Sequence, residues 1–96
     1  MKIDFESHRI ILENQIIYLT AIQNDILKLL HTNKGKIVKY ETIAQKIYGI
    51  QCDLTLKVLI RKQISLLNKK IGEYIKIRNI KKVGYIIEEE LIWVLI

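Results

Sequence analysis

An α+β domain is what this sequence predicts: short strands first, three helices next, and a β-hairpin to close. Three patterns carry that expectation. β-Branched runs broken by polar pairs occupy residues 2–19, apolar residues recur at helical spacing over 22–71, and apolar–polar alternation sets in from residue 74. With 96 residues, 50% of them hydrophobic, the chain has room for one core and the material to fill it. A single domain over 1–96 is expected, divided into N-terminal strands (1–19), a three-helix core (20–71), a hairpin (74–88) and an apolar tail (89–96).

Each element has its own justification. Ile3 with Phe5, residues 10–12 and residues 16–18 are three apolar groups, and Glu13-Asn14 is a natural tight turn, so a small antiparallel meander is expected. Thr20 is a good N-cap for a helix marked by Ile22, Ile26, Leu27 and Leu30, and Gly35 is a natural stop for it. A second helix is expected over 40–48, with Ile43, Ala44 and Ile47 on its buried side and Gly49 closing it. Asp53 or Thr55 caps a third, in which Leu56, Ile60, Ile64, Leu67 and Ile71 form an apolar stripe. At about 100° per residue, Lys57, Arg61, Ser65 and Asn68 project roughly a quarter turn from that stripe, with Lys62 and Lys69 further round. The hairpin turns at Lys81-Lys82, which is poor turn chemistry, so Gly84 is expected to supply the backbone freedom. In the tail, Glu88-Glu89-Glu90 precede six apolar residues that include Trp93. That strip either continues the hairpin strand back across its sheet or pairs with a second copy.

Composition narrows the function. Net charge is +6, but residues 34–82 hold thirteen Lys/Arg against Glu41, Asp53 and Glu73, while the rest holds three basic and seven acidic side chains. A chain this polarised presents one basic face, and a basic face concentrates polyanions. No apolar run reaches the roughly 18 residues of a transmembrane helix, and no secretory leader is recognisable, so no membrane partner is expected. The single cysteine, Cys52, suits a reducing cytoplasm. His8 and His31 have no Cys or carboxylate at ligand spacing, so no metal and no cofactor are expected. Nothing resembles a phosphate loop, a nucleophile with its base or a carboxylate pair, so an enzyme is not expected.

Strands, three helices and a hairpin, with the third helix and the hairpin tip both cationic, make the winged helix-turn-helix plan. In that plan the third helix, about 53–71, enters the major groove of double-stranded DNA and the wing reaches the flanking backbone. Arg61 is the first choice for a base-edge contact, since arginine bridges the O6 and N7 acceptors of guanine. Lys57, Ser65, Asn68 and Lys69 share its side as candidate contacts, more to phosphate than to base, and Lys62 lies further round. Lys81 and Lys82 are candidates for backbone or minor-groove contacts. Thr20 is a cap first and a phosphate ligand second, because helix N-termini offer free N–H groups. Lys39 and Tyr40, opening the second helix, complete the candidate set, and Tyr85 is expected in the core.

At these residues the chain also resembles the DNA-binding effector domain of OmpR/PhoB-type response regulators, over about 3–87. Leu19-Thr20 resembles the Leu-Thr that opens that family's first helix, with Leu30 and residues 33–35 closing it. Glu41 and Ile43 match its Arg-Glu-x-Leu segment, and Tyr48-Gly49 its Trp-Gly. Ile64-Ser65-Leu66-Leu67-Asn68-Lys69-Lys70-Ile71 is similar to its Ile-Ser-x-Leu-Arg-x-Lys-Leu, and Ile77-Arg78-Asn79-Ile80-Lys81-Lys82-Val83-Gly84-Tyr85 to its Ile-x-Thr-Val-Arg-Gly-x-Gly-Tyr wing. Three positions depart: Asn68 stands for an arginine, Lys82 for the first wing glycine, and Gln23 for a glutamate. The receiver domain that precedes this module in the family is absent, which leaves a fragment of a two-domain regulator or a stand-alone regulator. The resemblance implies transcriptional regulation in the cytoplasm, with a second copy on DNA and RNA polymerase as further partners. The alternative is a winged-helix protein-interaction module that binds no DNA.

Overall fold

The computed structural model describes residues 1–88 and the backbone of Val94 and Leu95. Three short strands, β1 (Lys2–Asp4), β2 (Arg9–Ile11) and β3 (Ile16–Tyr18), form the expected antiparallel meander. The Glu13-Asn14 turn forms where expected: the Leu12 N–H donates to the Gln15 carbonyl at 2.8 Å, and Ile11 lies opposite Ile16. Asp4 accepts from the Ser7 N–H and from Arg9 Nε at 3.2 Å, fixing the first connection. Burial pushes its carboxyl up, but those hydrogen bonds and the Arg9 charge outweigh it and hold the group below its ordinary value.

Helix α1 (Ala21–Thr32) starts at Thr20, whose hydroxyl accepts the Gln23 N–H while the Gln23 side-chain Oε1 accepts the Thr20 N–H. This reciprocal cap satisfies two donors that an open helix end would leave bare. Gln23 is buried with Asn24, although neither belongs to the apolar pattern. Asn24 Nδ2 donates to the Phe5 carbonyl at 3.0 Å, joining α1 to the meander. The second helix is shorter in its α-form than expected. α2 (Tyr40–Ile43) widens into a π-helical turn (Ala44–Tyr48) before Gly49 closes it at φ 68.

Helix α3 (Leu54–Ile71) is capped by Asp53, whose carboxylate accepts the Leu56 N–H at 2.8 Å. Its buried residues are Leu56, Ile60, Ile64, Leu67 and Ile71, the five of the stripe. They pack with Ile26, Leu27 and Leu30 of α1, Ile43 and Ala44 of the second helix, and Ile3 and Ile10 of the meander. Each buried leucine or isoleucine contributes about 1.5–3 kcal/mol relative to exposure, so this cluster dominates the stability of the fold.

The hairpin is built from β5 (Ile77–Ile80) and β6 (Gly84–Ile87), with Ile77 opposite Ile87 and Ile80 opposite Gly84. A further strand, β4 (Val38–Lys39), pairs with β6 and makes a three-stranded sheet of order β4-β6-β5. Gly84 corrects one expectation. The positive φ of the turn belongs to Lys82, at 65°, while a Cβ on Gly84 would lie 2.0 Å from the Val38 carbonyl oxygen. Gly84 therefore permits close approach of β4, and the turn is made by a lysine in a glycine-favoured conformation. The tail also departs from expectation. Val94–Leu95 (β7) run parallel to β1, Lys2 opposite Val94, so this segment returns to the N-terminal sheet and does not extend the wing. Trp93 and the remaining tail residues, 89–92 and 96, lie outside the described residues.

Candidate nucleic-acid interface

With its apolar stripe turned inward, α3 offers the opposite side to solvent. Arg61, Lys62, Ser65 and Lys69 are exposed and Asn68 is half-buried. Arg61, Lys62, Ser65 and Asn68 line one open groove of about 500 Å³, closed on its other flank by Asn79 of β5 and Tyr85 of β6. Third helix and wing therefore stand side by side around a common groove. The Asn68 amide reaches the Ile77 carbonyl across its floor at 3.5 Å, a long hydrogen bond.

The wall of the groove rests on a pair of tyrosines. Tyr40 and Tyr85 are both buried, with rings edge to face and centroids 5.5 Å apart. Their hydroxyls hydrogen-bond at 3.3 Å, and Asn79 Nδ2 donates to the Tyr40 oxygen at 3.5 Å. Burial, then the hydrogen bond and charge of Tyr40, push the Tyr85 phenol up to about 12, against weaker pulls from Asn79 and the Arg61 charge. Burial likewise raises the Tyr48 phenol. Both phenols stay neutral and act as fixed dipoles.

Tyr40 is thus a correction: its ring is a core element under the wing, 4% exposed, and offers no free surface to DNA. Lys57 is also partly committed: the residue is half-buried and its ammonium lies 4.8 Å above the Tyr40 ring. Lys39 is exposed and pairs across the sheet with Gly84, which puts it beside the wing. Lys81 and Lys82 are exposed at the wing turn, closed by the Val83 N–H to the Ile80 carbonyl at 2.9 Å.

Two candidates fall elsewhere. Lys69 faces a second groove, of about 390 Å³, shared with Lys70, Tyr18 of β3 and Tyr74. Thr20 spends its hydroxyl on the α1 cap, although the residue itself is exposed. Beside Ile64 and Tyr85, which the sequence assigns to the core, Val58 and Asn79 line the Arg61 groove without having been expected there. Asn79 carries a readable signal, as a polar position in the wing's alternation. Val58 carries none when only polar side chains are sought.

The family profile described as "Transcriptional regulatory protein, C terminal" matches residues 13–87. The transcriptional regulatory protein KdpE of Staphylococcus aureus is 41% identical over 49 residues, which are 51% of this chain and 21% of KdpE. The chain thus spans about a fifth of that relative's length. Among solved structures, the DNA-binding domain of Bacillus subtilis CssR superposes with a TM-score of 0.74 at 28% identity, over 85% of this chain and 92% of that one. The Klebsiella pneumoniae RstA DNA-binding domain, solved in complex with the RstA box, has a TM-score of 0.72 at 23% identity, over 83% of this chain and 82% of that one.

Proposed function

The chain belongs to the family of C-terminal domains of transcriptional regulatory proteins, and from that premise we propose that it binds double-stranded DNA sequence-specifically to regulate transcription. The family is not an enzyme class. Helix α3 lies in the major groove, with Arg61 on a guanine edge and Ser65 and Lys62 beside it. Lys81, Lys82 and Lys39 hold the flanking backbone, and Lys57 adds positive field from its place over Tyr40. Asn68 holds helix to wing and reaches the DNA as a secondary contact. Lys69 and Thr20 meet phosphate only where the duplex extends past the C-terminal end of α3.

One observation carries this reading: the exposed cationic side of α3 and the wing flank a single open groove. A second copy on an adjacent half-site, contact with RNA polymerase and a cytoplasmic location belong to the same proposal. Among the described residues, no helix is long and apolar enough to cross a membrane.

The test is duplex binding across a salt series, on sites enriched from a random pool. About five Lys/Arg on phosphates give a slope of log K against log salt near −4 to −5. Salt-independent affinity, or no binding at low salt, overturns the proposal.

A further inference from the structure

The outward ridge of α3 is not uniformly polar. Leu54 is 78% exposed and Val58 is 58% exposed, one turn apart in the helix's N-terminal half. A lone exposed leucine needs no explanation, but Val58 also lines the groove that holds Arg61, Lys62 and Ser65. We propose that Val58, with Leu54 beside it, reads the C5-methyl groups of thymines in the major groove. The inference rests on the DNA-binding reading above and gives its half-site a composition.

Charge decides what covers the two side chains. Val58 shares its groove with Arg61 and Lys62, both exposed, on a helix whose neighbouring wing turn carries exposed Lys81 and Lys82, so the occupant is a polyanion. The thymine methyl is the one methyl group that base edges present in the major groove, and apolar side chains are its ordinary partners. The cap sharpens the choice between base and backbone. Asp53 places a carboxylate on the first turn of α3 and takes the Leu56 N–H, so this helix end repels phosphate. Recognition helices meet base edges with their N-terminal residues, where Leu54 and Val58 lie. Four residues of helix rise about 6 Å, close to two base steps. A thymine-rich stretch therefore adjoins the guanine contacted by Arg61, on the side of the helix N-terminus.

Sites enriched from a random duplex pool are remade with deoxyuridine for thymidine, which deletes only the methyls. The expected result is an affinity loss of about fourfold per methyl engaged, the factor for one buried methyl-sized group. In Val58→Ala most of that loss disappears, while guanine discrimination, salt slope and thermal stability stay as in the parent; Leu54→Ala shows the same to a smaller degree. Equal binding of thymidine and deoxyuridine duplexes, with a normal salt slope, overturns the methyl reading alone. Full deoxyuridine sensitivity retained in both variants overturns it too. Absence of salt-dependent binding to any duplex defeats the DNA-binding reading itself, and this inference with it.

Discussion

Lys82 holds a φ of 65°, a conformation that costs a residue with a Cβ about 1–2 kcal/mol and glycine almost nothing. A lysine there places its ammonium at the wing tip at the expense of stability. Lys82→Gly removes the strain, and the greater freedom of glycine in the unfolded chain gives back about 0.5–1 kcal/mol. The net expected gain is about 0.5–1 kcal/mol, a rise in Tm of a few degrees in thermal unfolding. The same variant binds all duplexes more weakly, with a salt slope shallower by about 1. Lys82→Ala separates the effects, since it loses the charge and keeps the strain. Arg61 is the opposite case, exposed and unstrained. Arg61→Ala is expected to leave Tm unchanged, to weaken the preferred site by about 1–3 kcal/mol and to relax discrimination at one base, measured by competition among single-base variants. Exposure of a single residue is legible in the sequence where one property decides it, as with Arg61. That of Tyr40 is not, because a tyrosine that opens a helix looks the same whether its ring meets solvent or a second tyrosine from the wing.

At the level of elements, a polar tether through the Gln23 side chain supplements the apolar packing of α1 on α3. The Gln23 side-chain Oε1 accepts both the Thr20 N–H and the Lys70 ammonium, at 3.0 and 2.8 Å, and Lys70 also donates to the Tyr18 backbone carbonyl at 3.1 Å. Thr20→Ala removes half of the cap and is expected to cost about 1 kcal/mol; Gln23→Ala removes the other half and the tether to α3, and costs more. The two act on one unit, so the double variant loses less than the separate losses combined in denaturant unfolding. Gly84→Ala tests a different joint. Its Cβ would meet the Val38 carbonyl oxygen at 2.0 Å, and backbone cannot swing aside as a side chain can. A loss of about 3 kcal/mol is expected. The α3 stripe and the wing were legible because each repeats one period long enough to stand out. Two residues of β4 hold no period, and the π-helical turn keeps the second helix's apolar pattern while changing only its hydrogen bonding. Both escape a reading by periodicity.

For the whole molecule, the question is whether the excess of positive charge acts as a diffuse field or as a face. Tertiary packing settles which cations stand together: Lys69 is grouped with Arg61 as a candidate contact on one side of α3, yet β3 and the wing divide the outward side of that helix into two grooves. No count along the chain reveals that division, since it depends on which elements flank the helix. Helices α1 and α3 bury facing sides in one core, so their outward sides point apart. Lys28 is exposed on α1, and Lys81 is exposed on the wing beside the α3 groove. Both carry one charge, and a field set by net charge alone would treat their loss alike. Surface potentials are screened within about 10 Å at 0.1 M salt, so a face-specific interaction does not. Lys28→Ala is expected to leave duplex affinity and its salt slope unchanged, whereas Lys81→Ala lowers affinity for every sequence alike and makes the slope shallower by about 1. Equal losses in the two variants would mean that the duplex responds to the charge of the whole domain and not to the groove between α3 and the wing.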